Sequence, residues 1–212
     1  MLFNTTRKYD GTPKLTLSGM GGQHLEVVDK CKLLGVIIRS DMKWFDNTDY
    51  ICQKGYSRLW MIRRLKLLGA SIPEMLDVYQ KQVRSVLEMA VPVWEPALTK
   101  LERGQIERVQ KCASYVILGD SYRNYEHAIE TLDCETLSER RIKLCENFAT
   151  KALKNPRYQN WFEYEDINKP NPNTRFNATK IENVFKPVDT RTDKYRDSPL
   201  PYMTEILNRL IK

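Results

Sequence analysis

The sequence predicts an α+β fold, a small antiparallel N-terminal sheet followed by a mainly α-helical bundle and an irregular C-terminal tail, on three observations. Short β-prone runs separated by turn signals extend to Ile38. From Phe45 the apolar residues recur at helical spacing. After Glu163 both patterns stop and Asn, Asp, Thr, Pro and Lys take over. The implied divisions are residues 1–44 for the sheet, 45–163 for the bundle, and 164–212 for a linker-like tail with a terminal helix.

The sheet region carries four candidate strands, Met1 to Phe3, Lys14 to Leu17, His24 to Val28 and Leu33 to Ile38. Gly19, Gly21 and Gly22 separate the middle pair, as a tight turn with positive φ requires. The GMGG run lacks the spacing of a phosphate loop and precedes a strand rather than a helix, so it reads as a turn.

In the bundle, Asp46, Asn47 or Asp49 is positioned to cap a first helix that ends near Gly69. Ser71, with Pro73 in the first turn, opens a second helix whose Ile72, Leu76, Tyr79, Val83, Val86 and Ala90 form one apolar stripe. Pro92 and Pro96 interrupt the pattern around Trp94. Thr99 with Glu102 then makes a capping box ahead of a helix burying Ile106, Val109, Ala113, Val116 and Ile117, with Arg108 and Lys111 on its solvated side. A short helix follows near Asn124 to Leu132. Thr136 with Glu139 repeats the box before a helix in which Leu137, Leu144, Phe148 and Ala152 share a side. The polar stretch at 164–198 lacks the apolar residues to offset chain entropy and reads as linker. Met203, Ile206, Leu207 and Leu210 then line one face of a terminal helix that has to dock on something.

With 34 Lys and Arg against 27 Asp and Glu, the net charge of +7 favours anionic partners, although charge alone leaves simple solubility open. The five cysteines are odd in number and widely spaced, without paired metal-site spacing, so reduced thiols and an intracellular setting are expected. No apolar run approaches the ~20 residues that span a bilayer, and no membrane partner is expected. His24 and His127 are the only histidines, with no nucleophile arranged beside either, and each reads as a surface or packing residue. No catalytic residue or metal ligand is assigned. Two-metal phosphoryl transfer needs converging carboxylates, and the chain contains no Asp-Asp pair.

The strongest functional signal is the first helix. Ile51, Gly55, Leu59 and Ile62 make its apolar side, while Lys54, Arg58, Arg63, Arg64 and Lys66 form a basic band without an intervening acid. Read from the residues alone, this is a solvated helix with Trp60 packed in the core. The alternative is a nucleic-acid-binding set in which these five cations reach phosphates and Trp60 stacks.

The order of segments also resembles the C-terminal part of non-LTR (LINE-like) retrotransposon reverse transcriptases. KLLGVIIRSDMKW at Lys32 to Trp44 is similar to the strand and Trp-ended turn that closes the palm of those enzymes. YSRLWMIRRLKLLG, VYQKQVRSVLEMAVPVW and IERVQKCASYVILG resemble the thumb and the connection region beyond it. TLSERRIKLCENFATKALKN and SPLPYMTEILN look like closing segments of such a polyprotein.

The resemblance implies a residual palm hairpin at 1–44, a thumb and connection bundle at 45–163, and a primer grip at Leu34, Gly35 and Val36. Gly35 would there let a primer backbone approach. It tips the basic helix toward binding an RNA–DNA or DNA duplex. The family's Tyr-x-Asp-Asp box, which holds catalytic Mg2+, would lie before Met1. The expectation is therefore a truncated reverse transcriptase fragment that is not an enzyme on its own, needs no cofactor, and has the missing upstream polymerase domain as its natural partner. The rival expectations are a helical protein-interaction module, using the Met203 to Leu210 face or the bundle surface, and a non-functional remnant with an unpaired sheet edge.

Overall fold

The computed structural model describes residues 28–164 and 184–211. The candidate strands at Met1 to Phe3 and Lys14 to Leu17, all of His24 to Val28 except Val28, the GMGG turn, His24 and the KPNPNTRFNAT segment lie outside the described residues. Within them the chain is α+β, a two-stranded antiparallel sheet followed by a helical bundle.

The expected single strand at Leu33 to Ile38 is instead a hairpin. β1 (Lys30–Leu33) pairs with β2 (Val36–Arg39) across the two-residue turn Leu34–Gly35, with Leu33 opposite Val36. Leu34 and Gly35 have φ of 47° and 87°, the pair of positive values that lets a two-residue turn follow the strand twist. The apolar run hid the reversal because only Gly35 signals it.

Helix α1 (Phe45–Leu67) begins after Trp44 without a side-chain cap, so the expected capping residues Asp46, Asn47 and Asp49 lie inside the helix, and the first two bond to the hairpin. Asp46 accepts from Arg39 Nη1 at 2.7 Å and from Lys30 Nζ at 3.3 Å, and Asn47 Oδ1 accepts from the Ile37 amide at 3.1 Å. These bonds fasten the hairpin to the start of α1. The expected apolar side is buried as read, with Ile51, Gly55, Leu59 and Ile62 all inward.

The next helical run starts at α2 (Ile72–Val78), where the Glu74 carboxylate accepts from the Ser71 amide and hydroxyl at 2.8 Å each. It passes through a π-helical stretch at Tyr79–Arg84 into α3 (Ser85–Leu87). A π-turn closes by i→i+5 bonds, so each residue advances less around the axis. The buried line is therefore Met75, Tyr79, Val83, Leu87, in steps of four, rather than the predicted alternation of fours and threes. Ile72, the first residue of α2, is exposed. Ala90, with φ of 56°, turns the chain into α4 (Val91–Trp94), and Trp94 is buried with its indole N–H donating to the Met89 carbonyl at 2.9 Å.

Both predicted capping boxes are formed. The Thr99 and Thr136 hydroxyls accept from the amides of Glu102 and Glu139 at 3.3 and 3.2 Å, opening α5 (Lys100–Leu118) and α7 (Leu137–Lys154). Asn124 caps the short α6 (Tyr125–Thr131) by accepting from the His127 amide at 2.8 Å. In α7 the buried face is Leu137, Arg141, Cys145, Ala149 and Ala152, while Phe148 is exposed. Arg141 is fully buried, its Nε donating to Glu95 at 2.7 Å. A charge in the core displaces the apolar stripe by one position and escapes any pattern of hydrophobic spacing.

The described part of the tail packs on the bundle. Phe185 is buried, and Asn208 holds it by accepting from its amide at 2.8 Å and donating to its carbonyl at 2.9 Å. The short α8 (Asp193–Arg196) leads to α9 (Pro199–Leu210), whose Met203, Ile206 and Leu207 dock against α7 and α4. Among the described residues no helix is long and apolar enough to cross a membrane.

Candidate nucleic-acid interface

α1 and α5 lie against each other and run in the same direction. Near one end Gly55 permits the contact: a Cβ there would meet Val109 Cγ1 at 2.9 Å and Leu87 Cδ2 at 3.1 Å. At the other end Lys66 Nζ donates to the Val116 and Ile117 carbonyls at 2.6 and 3.4 Å. A cation at these carbonyls complements the negative end of the α5 dipole. Gly119 leaves room for it, since a Cβ at that position would collide with the same ammonium group. Burial of the seam between the helices brings their outward faces into one continuous surface.

The six residues expected to bind nucleic acid divide into two groups on this scaffold. Lys66 is committed to the α5 terminus. Arg58 Nη1 donates to the Gln82 carbonyl at 2.5 Å, joining α1 to the π-helical stretch. Lys54 lies over the Tyr50 ring, 4.6 Å from its centroid, with Lys32 at the same distance, and the two ammonium groups hold the Tyr50 hydroxyl below its ordinary pKa. The basic band is thus partly internal stitching.

Trp60, Arg63 and Arg64 are different. Trp60 is 61% exposed, so the core position read from the residues alone is incorrect. At 100° per residue it falls away from the Ile51, Leu59 and Ile62 side, and Arg63 and Arg64 project into solvent with it. Neither guanidinium group makes a hydrogen bond or ion pair among the described residues.

The sequence reading missed four further members of this face. Tyr56 precedes Trp60 by one turn and meets Cys112 of α5; its partial burial there, with the thiol beside it, raises its hydroxyl pKa. Arg108, Lys111 and Tyr115 are exposed along α5, Tyr115 at 60%, and its ring packs edge-on to Tyr122 with centroids 5.4 Å apart. Lys111 lies over the Tyr125 ring at 4.8 Å. The exposed stripe of α5 from Leu101 to Tyr115 reads Leu101, Gly104, Arg108, Lys111, Cys112, Tyr115, without an acid, and the outward side of α1 from Gln53 onward has none either. Arg108 and Lys111 were legible as solvated residues. Their place on one surface with Trp60 follows from the packing of two helices distant in sequence, which brings Tyr56 to Cys112.

At the expected primer grip, Leu34 is 92% exposed at the hairpin apex, but Val36 is buried and its side chain turns inward. The group that a Gly35 Cβ would meet is the Met89 methyl, at 2.9 Å, and the positive φ demands glycine independently. The bare position accommodates a turn and a methionine of the same chain rather than an approaching backbone. His127, the described histidine, has its amide in the α6 cap and its ring Nε2 3.4 Å from the Thr131 hydroxyl.

No protein-family model, curated protein sequence or solved structure matches the chain.

Proposed function

We propose that this chain binds a polynucleotide through the joined outward faces of α1 and α5, with Arg63, Arg64 and Arg108 on the phosphates and Trp60, Tyr56 and Tyr115 beside them. The observation that carries this reading is the exposure of large aromatic side chains among arginines whose guanidinium groups are unpaired, on helix stripes that carry no acid from Gln53 to Leu67 and from Leu101 to Tyr115. A helix carrying charge only for solubility would keep its tryptophan inside. The role fits the resemblance to the thumb and connection region of an RNA-directed DNA polymerase, whose ligand is a primer–template and whose catalytic domain would be the natural partner. The proposed role is binding, and no reaction is assigned to these residues.

Contacts made by cations to phosphates read charge and not base sequence, so binding is weakly selective and falls steeply with salt. In fluorescence anisotropy with the full chain and a labelled RNA–DNA primer–template that carries an unpaired template overhang, replacing Arg63, Arg64 and Arg108 together by Ala lowers the slope of log affinity against log salt by about two to three. Thermal unfolding is unchanged, because none of the three holds the fold together. An unchanged slope, or no binding at low salt, overturns the reading. Arg58 is left out of the test, since its loss would leave the Gln82 carbonyl without its partner.

A protein-interaction role has one observation in its favour: Leu67 and Leu68 at the end of α1 are 80% and 70% exposed. On the Met203 to Leu210 face, the other surface considered for such a partner, Met203, Ile206 and Leu207 are already covered by α7 and α4 of the same chain, and Leu210 is exposed.

A further inference from the structure

Resting on the binding reading above, we infer that the α1–α5 face takes an unpaired strand rather than a double helix, with bases stacked on Trp60 and Tyr115 and phosphates held by Arg63, Arg64 and Arg108. In a duplex the faces of the bases are stacked on one another and only phosphates and groove edges are presented. An aromatic ring on the outside of a helix therefore has nothing in a duplex to stack on except its ends. In an unpaired strand each base offers its face, and stacking on an aromatic residue tolerates any sequence.

Three features of this surface favour the unpaired strand. Trp60 and Tyr115 are the most exposed aromatic residues of α1 and α5, at 61% and 60%, and the helix stripes that carry them, up to Leu67 and Tyr115, hold no acid that would repel phosphate. The cations that a wide double backbone would require are reduced in number, because Lys66 and Arg58 are bonded to main-chain carbonyls and Lys54 is held over Tyr50. The surface is also long enough for several nucleotides. Tyr56 to Leu67 spans about 16 Å along α1 at ~1.5 Å per residue, the length of about five stacked nucleotides at ~3.4 Å each.

The test uses the full chain and three labelled probes of one sequence, on the order of ten nucleotides long: single-stranded RNA, single-stranded DNA and the blunt hybrid of the two. Affinity for at least one single strand is expected to exceed that for the hybrid by about tenfold or more. Trp60→Ala weakens single-strand binding by about ten- to a hundredfold, Trp60→Phe by much less, and neither changes thermal unfolding, since Trp60 is exposed. If the hybrid binds as tightly as both single strands, or Trp60→Ala leaves single-strand affinity unchanged, the inference is wrong while the binding reading stands. If none of the three probes binds, the binding reading itself falls.

Discussion

Gly55 and Gly104 are both glycines on helices, and they illustrate how one residue type can have opposite consequences. Alanine in place of glycine inside a helix is worth about 0.8–1 kcal/mol in propensity. At Gly104 nothing lies within 4 Å of an added Cβ, so Gly104→Ala is expected to raise stability by up to about that amount. At Gly55 the Cβ would stand 2.9 Å from Val109 Cγ1 and 3.1 Å from Leu87 Cδ2, both on fully buried side chains with little room to move. Overpacking of this kind costs about 1–3 kcal/mol and outweighs the gain. Chemical denaturation of the two variants checks this, with Gly55→Ala less stable than the parent and Gly104→Ala more so. A stabilised Gly55→Ala protein would mean that the α1–α5 seam is looser than described.

At the scale of elements, ion pairs from Lys30 and Arg39 to Asp46 join the β1–β2 hairpin to α1 alongside the burial of Val36. Arg39 bridges Asp41 at 2.9 Å and Asp46 at 2.7 Å, and these contacts hold both aspartates below their ordinary pKa. A carboxylate whose folded pKa is depressed contributes stability above its unfolded value and loses it as pH falls through the folded one. The hairpin therefore loosens below about pH 4, before the largely apolar α1–α5 seam does. Hydrogen exchange of the Ile37 amide, against amides in the middle of α5, reads this directly; simultaneous loss of protection in both would contradict it. Elements of this sequence were legible where a local rule governs them. The Thr99–Glu102 and Thr136–Glu139 boxes and the apolar side of α1 depend on neighbours in the chain. The π-helical stretch, the buried Arg141 and the Leu34–Gly35 reversal were not legible, because an extra residue per turn, a distant Glu95 and a lone glycine leave no periodic trace.

For the whole molecule, the charge of +7 matters through its distribution. Some cations fasten helices to one another, as Lys66 and Arg58 do, and others are left outward beside aromatic rings. Part of the candidate interface, Trp60, Arg63 and Arg64, could be named from the basic helix alone. The rest, Tyr56, Arg108, Lys111 and Tyr115, needed the seam that Gly55 permits and Lys66 closes, a contact between segments about fifty residues apart. The central claim, that the α1–α5 face is where a polynucleotide lies, is tested most directly by photocrosslinking. The full chain is irradiated with a single strand carrying a photoreactive pyrimidine, and the adducts are mapped by mass spectrometry of the digested protein. The account predicts adducts on peptides containing Trp60, Tyr56 or Tyr115; adducts confined to the hairpin apex at Leu34 or to α9, or no adducts at all, would contradict it.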